Sequence, residues 1–213
     1  MRIRSNNKHE MTHDALQHVD VAIEFTNPES ARANVEACLK ATVPVVCGTT
    51  GWNHGLNEVK FKAIENKTAF LQASNFSIGV NIFFEVNKLL AHLMNGQQDY
   101  DISIEETHHT QKKDAPSGTA ITLAEQILDR VERKNHWVMN ERTAQDTFPI
   151  TAHRVENVPG THNVKYTSAI DEIEIIHTAF RSEGFAMGGV LAAEFIAGKS
   201  GIFTMADVLG INK

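Results

Sequence analysis

The spacing of apolar residues along the chain changes twice. From Val19 to Gln72, short apolar runs alternate with helical spacings. Val19–Thr26 reads as a strand, and Asn27-Pro28-Glu29-Ser30 as a strand-to-helix turn with Asn27 as N-cap and Pro28 as the first helical residue. Ala31–Ala41 then places Ala31, Val35 and Cys38 on one helical face, with Leu39 beside them. Val43–Cys47 is a buried strand pattern, Asn57–Asn66 a helix and Thr68–Gln72 a further strand. Such β-α-β-α-β alternation predicts a parallel sheet with crossover helices.

The character shifts near Gly79. Ile82–Met94 reads as an apolar-rich helix. Tyr100–Glu106 alternates Ile102 and Ile104 with Asp101, Ser103 and Glu105, which is strand periodicity. Ala120–Val131 is amphipathic, and Ile150–Val155, Asn163–Ser168 and Glu172–Thr178 are β-like. Val190–Ala197 returns to a helix, and the chain closes on Ala206-Asp207-Val208-Leu209. Residues 1–18 are polar and weakly patterned. The picture is parallel α/β first and mixed α+β in the middle.

Composition narrows the function classes. A net charge of −6 over 213 residues lacks the basic excess that nucleic-acid binding needs. No stretch approaches the roughly 18 apolar residues of a membrane helix, and Met1-Arg2-Ile3-Arg4 leads into no apolar run of a signal peptide. Cys38 and Cys47 have no metal or CxxC spacing and read as reduced thiols of a cytoplasmic protein.

The chemistry concentrates in residues 105–120, Glu-Glu-Thr-His-His-Thr-Gln-Lys-Lys-Asp-Ala-Pro-Ser-Gly-Thr-Ala, where a strand delivers its end to a loop that feeds a helix. Ser117, Gly118 and Thr119 stand at the helix start, whose backbone N–H groups lack intrahelical partners and receive anions. Gly118 permits close approach of a ligand to the backbone. His108, His109, Lys112 and Lys113 add cationic or proton-donating groups, so the run describes a pocket for a small anion with an acid at hand. Adjacent histidines in extended backbone point to opposite sides, and no metal spacing is present.

This run resembles the active-site signature of the dihydrodipicolinate (4-hydroxy-tetrahydrodipicolinate) reductases, enzymes of lysine and diaminopimelate biosynthesis. The resemblance extends to Ile23-Glu24-Phe25-Thr26 with Pro28-Glu29, to Gly48-Thr49-Thr50-Gly51, and to Ala73-Ser74-Asn75-Phe76-Ser77-Ile78-Gly79-Val80-Asn81. Val158-Pro159-Gly160-Thr161-His162, His177, Phe185-Ala186 and Gly188 also resemble the family's later segments. It implies an α/β fold: an incomplete Rossmann-like parallel sheet domain, residues 1–79 and 183–213, with an inserted α+β substrate and oligomerisation domain carrying a mixed sheet, residues 80–182. It implies His108 as acid/base group and Lys112 as proton donor. It also implies substrate contacts from His109, Ser117, Gly118 and Thr119, and cofactor contacts from Gly48, Thr49, Thr50, Ala73, Ser74, Asn75 and Phe76. NADH or NADPH would supply hydride to a small cyclic dicarboxylate, within a homotetramer and without a metal. Lys113 has no assigned role, Asp114 is expected to order the loop and cap the helix, and His162 and His177 read as structural strand histidines.

The chain departs from the family pattern in three places. Gly48 is its first glycine, so the glycine-rich turn that binds pyrophosphate is missing. Residues 1–18 are too few for the roughly 30 of a βαβ unit, which points to truncation at the N-terminus and leaves the Val19–Phe25 strand with an unpaired edge. Glu156 stands where a glycine is expected after Arg154, and Arg181-Ser182 reverses an expected Ser-Arg, which would turn the arginine to the other side of a strand. A second reading follows from the missing turn: a non-catalytic homologue that binds dicarboxylate or oligomerises without cofactor.

Overall fold

A computed structural model describes residues 2–52 and 54–211. A 3-10 helix, Ser5–Glu10, is followed by α1 (His13–Leu16), β1 (Ala22–Glu24), α2 (Pro28–Lys40), β2 (Val45–Cys47), α3 (Leu56–Glu65) and β3 (Ala69–Gln72). Then come α4 (Ile78–Met94), β4 (Asp101–His108), α5 (Gly118–Leu128), β5 (His136–Met139), β6 (Thr147–Arg154), β7 (Gly160–Thr167) and β8 (Glu172–Ala179). The chain finishes with α6 (Glu183–Ile196), β9 (Gly201–Phe203) and α7 (Met205–Val208). It divides into two compact units, Met1–Phe76 with Phe185–Lys213, and Ser77–Gly184.

The first unit holds a four-stranded parallel sheet in the order β1-β2-β3-β9. Side chains alternate across it. Val45, Cys47 and Phe70 join Val35, Leu39 and Val59 of α2 and α3 on one face. Val46, Ala69 and Leu71 join Ala192, Ala193 and Ile196 of α6 on the other. Burying each larger aliphatic or aromatic side chain contributes about 1.5–3 kcal/mol, so two covered faces explain strands that read as unbroken apolar runs. Asn27 caps α2 by accepting from the Ser30 N–H at 3.0 Å, with Pro28 at the first helical position. β1 lies at the sheet edge, and Ile23 within it and Phe25 just after it are about half exposed.

The second unit is a five-stranded mixed sheet in the order β5-β6-β4-β7-β8. β4 is central, parallel to β6 and antiparallel to β7. Ile102 and Ile104 of β4 meet Leu123, Ala124 and Ile127 of α5 and Phe84 and Ala91 of α4 in one core.

Several elements differ from the sequence reading. α4 starts at Ile78 rather than Ile82, because Ser77 caps it and Gly79 lies within its first turn. α5 likewise begins at Gly118, two residues early. β5 and β9 went unseen: one is a short, part-exposed edge strand and the other has three residues, too few for a period. The weakly patterned residues 1–18 form the 3-10 helix and α1.

Candidate active site

Strand register assembles the centre in the second unit. In β4, alternation puts Ile102, Ile104, Glu106 and His108 on the buried face. Glu106 stands opposite His162 of β7, and His108 opposite Arg154 of β6. Glu106 and His108 of one strand are thereby joined by Arg154 and His162, about 45–55 residues further on, beside the start of α5.

Glu106 is fully buried. Its two carboxylate oxygens accept from the Ser117 N–H at 3.0 and 3.1 Å, and Oε1 accepts from Arg154 Nη2 at 3.3 Å. The Arg154 guanidinium also donates to the Asp114 carbonyl at 2.6 Å and the Lys112 carbonyl at 3.3 Å, clamping the 109–117 loop. Ser117 caps α5 by accepting from the Ala120 N–H at 3.2 Å, and its Oγ lies 3.1 Å from His162 Nε2. Gly118 opens onto space: an added Cβ would meet nothing within 4 Å.

The two imidazoles differ in surroundings. His108 and His162 rings sit edge to face, centroids 5.0 Å apart. Burial, then the charges of His108, His177 and Lys112, push His162 down to about 3, so it is neutral at neutral pH. Burial also lowers the His108 proton affinity. Glu106 opposes that shift, while Lys112 and Arg154 add to it. Lys112 Nζ reaches both Asp114 carboxylate oxygens at 2.9 Å. Burial favours the neutral Asp114 carboxyl, but the Lys112 ammonium outweighs it and holds the group below its usual range.

Among the expected residues, the structure brings together His108, Lys112 and Ser117, with His109 half-buried just past β4 and Gly118 and Thr119 opening α5. Lys113 is exposed. Asp114 does not cap α5; it pairs with Lys112, and Ser117 is the cap. Arg181 lies beyond the end of β8 and is exposed, so strand alternation does not govern it. Sequence reading missed Glu106, Arg154 and the inward role of His162. For Glu106 a signal existed: it falls two residues from Ile104 and from His108, on the apolar side of the strand. The ligand-type atoms of Glu106, His108 and His162 lie within 4.8 Å of one another. Arg154 and the Ser117 N–H already compensate that carboxylate, which makes the cluster a hydrogen-bonded hub rather than a metal cage.

The first unit builds a separate centre at the carboxyl ends of its parallel strands, where dinucleotides bind in such sheets. Buried Glu24 accepts from Thr49 Oγ1 at 2.7 Å, Asn34 Nδ2 at 3.2 Å and Thr26 Oγ1. Thr49 Oγ1 accepts from the Thr26 N–H at 2.8 Å, and the Thr49 carbonyl accepts from Trp52 Nε1 at 2.7 Å. Gly48 lets the Phe25 ring lie against the backbone, since a Cβ would stand 1.8 Å from that half-exposed ring, which packs on Phe76 at 5.2 Å. Thr50 is exposed at the tip of this loop, Ala73 and Ser74 follow β3, and Asn75 and Phe76 are buried. Burial first, and Glu24 second, push the Cys47 thiol up to about 12 and Cys38 up to about 11, so neither is a thiolate nucleophile.

A parallel dinucleotide-type sheet, with an α+β unit that gathers two imidazoles, a lysine and a helix start around a buried carboxylate, is the arrangement of a two-domain oxidoreductase. The family models named "Dihydrodipicolinate reductase, N-terminus" and "Dihydrodipicolinate reductase, C-terminus" match residues 4–76 and 79–209. The 4-hydroxy-tetrahydrodipicolinate reductase of Christiangramia forsetii is 52% identical over 191 residues, 90% of this chain and 80% of the relative. That of Methanoregula boonei is 37% identical, over 91% of this chain and 76% of the relative. The chain belongs to the dihydrodipicolinate reductase family. A solved structure, "Dipicolinate bound Dihydrodipicolinate reductase from Paenisporosarcina sp. TG-14", shares the fold with TM-score 0.68 at 24% identity, over 88% of this chain and 72% of that one. Enzymes of the family use NADH or NADPH, and the N-terminal family domain is their nucleotide-binding part. The residues present fit such a cofactor, through a glycine loop fixed by Glu24 and Thr49 at the carboxyl ends of the parallel strands.

Proposed function

We propose that this chain reduces the dihydrodipicolinate formed from 4-hydroxy-tetrahydrodipicolinate to tetrahydrodipicolinate, in lysine and diaminopimelate biosynthesis. The observation that carries the reading is the convergence of His108 and the Ser117-Gly118-Thr119 helix start on one buried carboxylate, with Lys112 close enough to His108 to act on its charge. A carboxylate of the substrate docks on the α5 N-terminus, where Gly118 leaves room and the helix start favours anions. His109 and Thr119 complete that contact. Lys112 leaves Asp114 to meet the substrate and donates one proton to the carbon next to the one reduced. His108 acts as the acid/base group that restores it. Bound NADH or NADPH supplies the hydride, against the Gly48–Thr50 and Ala73–Phe76 segments.

The reading carries a cytoplasmic homotetramer with it. Among the described residues no helix is long and apolar enough to cross a membrane. Ile176 of β8 is exposed on the face of that sheet opposite the helices, which supports assembly through it.

The test follows cofactor oxidation with fresh substrate, for the unchanged chain and for His108→Gln and Lys112→Ala. Loss of turnover in both variants is expected, and unchanged turnover refutes the roles. Calorimetric titration with pyridine-2,6-dicarboxylate, NADH and NADPH separates the readings. Dicarboxylate binding without either nucleotide would mark a non-catalytic homologue.

A further inference from the structure

We propose that Glu106 is a positioning residue whose carboxylate holds His108 as the Nδ1–H tautomer, leaving Nε2 as the nitrogen that exchanges protons. The proposal rests on the reading of His108 as the acid/base group.

The geometry leaves one consistent protonation pattern. Glu106 Oε2 lies 3.5 Å from His108 Nδ1 and 3.7 Å from His162 Nε2. His162 Nε2 is already engaged by Ser117 Oγ at 3.1 Å, so it does not compete for the carboxylate. His108 Nδ1 is buried and, among the described residues, has no hydrogen-bond partner. An unprotonated Nδ1 would aim a lone pair at a buried carboxylate, which is repulsive. A protonated Nδ1 faces its acceptor and needs only a small ring rotation to bond, and such contacts tighten when a site is filled. Glu106 itself is held by the Ser117 N–H and by Arg154, so it cannot swing away. On the far side of the ring stands Gly160: a Cβ there would come within 3.1 Å of Nε2, and its absence keeps that nitrogen clear.

The arrangement also answers an electrostatic problem. A pocket for a dicarboxylate needs cations, and the cations of Lys112 and Arg154 disfavour a protonated His108. The charged and titratable groups facing this imidazole are Glu106 from β4, His162 from β7, Arg154 from β6, and Lys112 and Asp114 from the loop. Glu106 is the buried anion among them. The same carboxylate ties the acid to the anion-receiving helix start through Ser117, so one residue sets both.

Long-range 1H–15N NMR on the histidine-labelled chain reads the tautomer, with His108 assigned by its absence in His108→Gln. The expected result is a proton on Nδ1 when the ring is neutral. A proton on Nε2, or a free-imidazole mixture of tautomers, overturns the proposal. In Glu106→Gln the His108 titration is expected to fall by about one unit or more, as loss of a charge within ~4–6 Å implies. The limb of the kcat–pH profile that reports loss of protonated His108 moves down with it. Unmoved titration and an unmoved profile overturn the proposal, whereas a purely structural role leaves both in place. If Glu106→Gln does not fold, the tautomer in the unchanged chain decides alone. Neither NMR readout needs turnover, so an inactive chain with Nδ1 protonated refutes the reductase reading and the proton-exchange role of Nε2 while upholding the Glu106–His108 tautomer, and an active chain with Nε2 protonated overturns this proposal alone.

Discussion

His162 is expected to dominate one part of the acid sensitivity of the second unit. It is 4% exposed, and burial followed by nearby positive charges lowers its proton affinity from the ordinary 6.5 to about 3. Released into the unfolded chain, it binds a proton below 6.5. Between those values the unfolded state therefore holds more protons, and stability falls as the pH falls. The contribution is complete above 6.5 and lost progressively toward 3. Each unit is worth about 1.4 kcal/mol, so descending from pH 6.5 to pH 4 removes roughly 3 kcal/mol through this residue. That is a large fraction of the 5–15 kcal/mol typical of a domain. The perturbation is His162→Gln, which keeps a polar tip for Ser117 Oγ but does not titrate. Urea unfolding is followed by Trp137 fluorescence from β5, in a Trp52→Phe background that leaves one tryptophan and is common to both arms. Burial also lowers the proton affinities of His108 and His177, and these too are shared by the two arms. The variant is expected to start less stable at pH 7.5 and to lose stability less steeply, so that the curves converge by about 1.4 kcal/mol per unit below pH 6.5. Parallel curves would refute the assignment of this proton to His162.

Gly188→Ala places a Cβ 1.7 Å from the Phe76 carbonyl oxygen; thermal unfolding is expected to show about 1–3 kcal/mol of strain, and an unchanged midpoint refutes the contact. Thr49→Val removes the donor to Glu24 and the acceptor of the Thr26 N–H, so urea unfolding of the first unit is expected to show a loss of about 1–3 kcal/mol; none would mean the Glu24 network does not hold the loop. Gly160→Ala crowds His108 Nε2 at 3.1 Å, and kcat is expected to fall while the urea midpoint barely moves; equal kcat would show that this face of the ring is unused. Lys112→Ala is expected to lower kcat by roughly 10²–10⁴-fold, the usual worth of a placed proton donor, and a smaller loss denies it that role.

Much of the fold was legible in order and type, because its elements carry their own local signals. Asn27-Pro28 announces α2 by capping chemistry that needs no tertiary partner. The alternation around Ile102 and Ile104 announces β4. Boundaries were less legible: β1 and β2 are three-residue strands inside longer apolar runs, since sheet pairing rather than composition ends a strand. β9 was invisible because Gly201-Ile202-Phe203 becomes a strand only by pairing with β3. Of the site, residues 108–119 stood out since one loop and one helix start supply them contiguously. Arg154 and His162 did not, as each reads alone as an ordinary strand residue.

The sequence by itself determined the family, the α/β then α+β order, and which short run carries an acid, a lysine and an anion-receiving turn. These are local properties, written in spacing and residue type. Tertiary structure decided what that run works against. Pairing of β4 with β6 and β7 brings Arg154 opposite His108 and His162 opposite Glu106. A shift of one residue in either register would send those side chains to the other face of the sheet. Glu106 is an ordinary strand glutamate until that register, the Ser117 N–H and Arg154 enclose it. Enclosure is what makes its charge act on His108, because a carboxylate withdrawn from water is screened far less than one left in it.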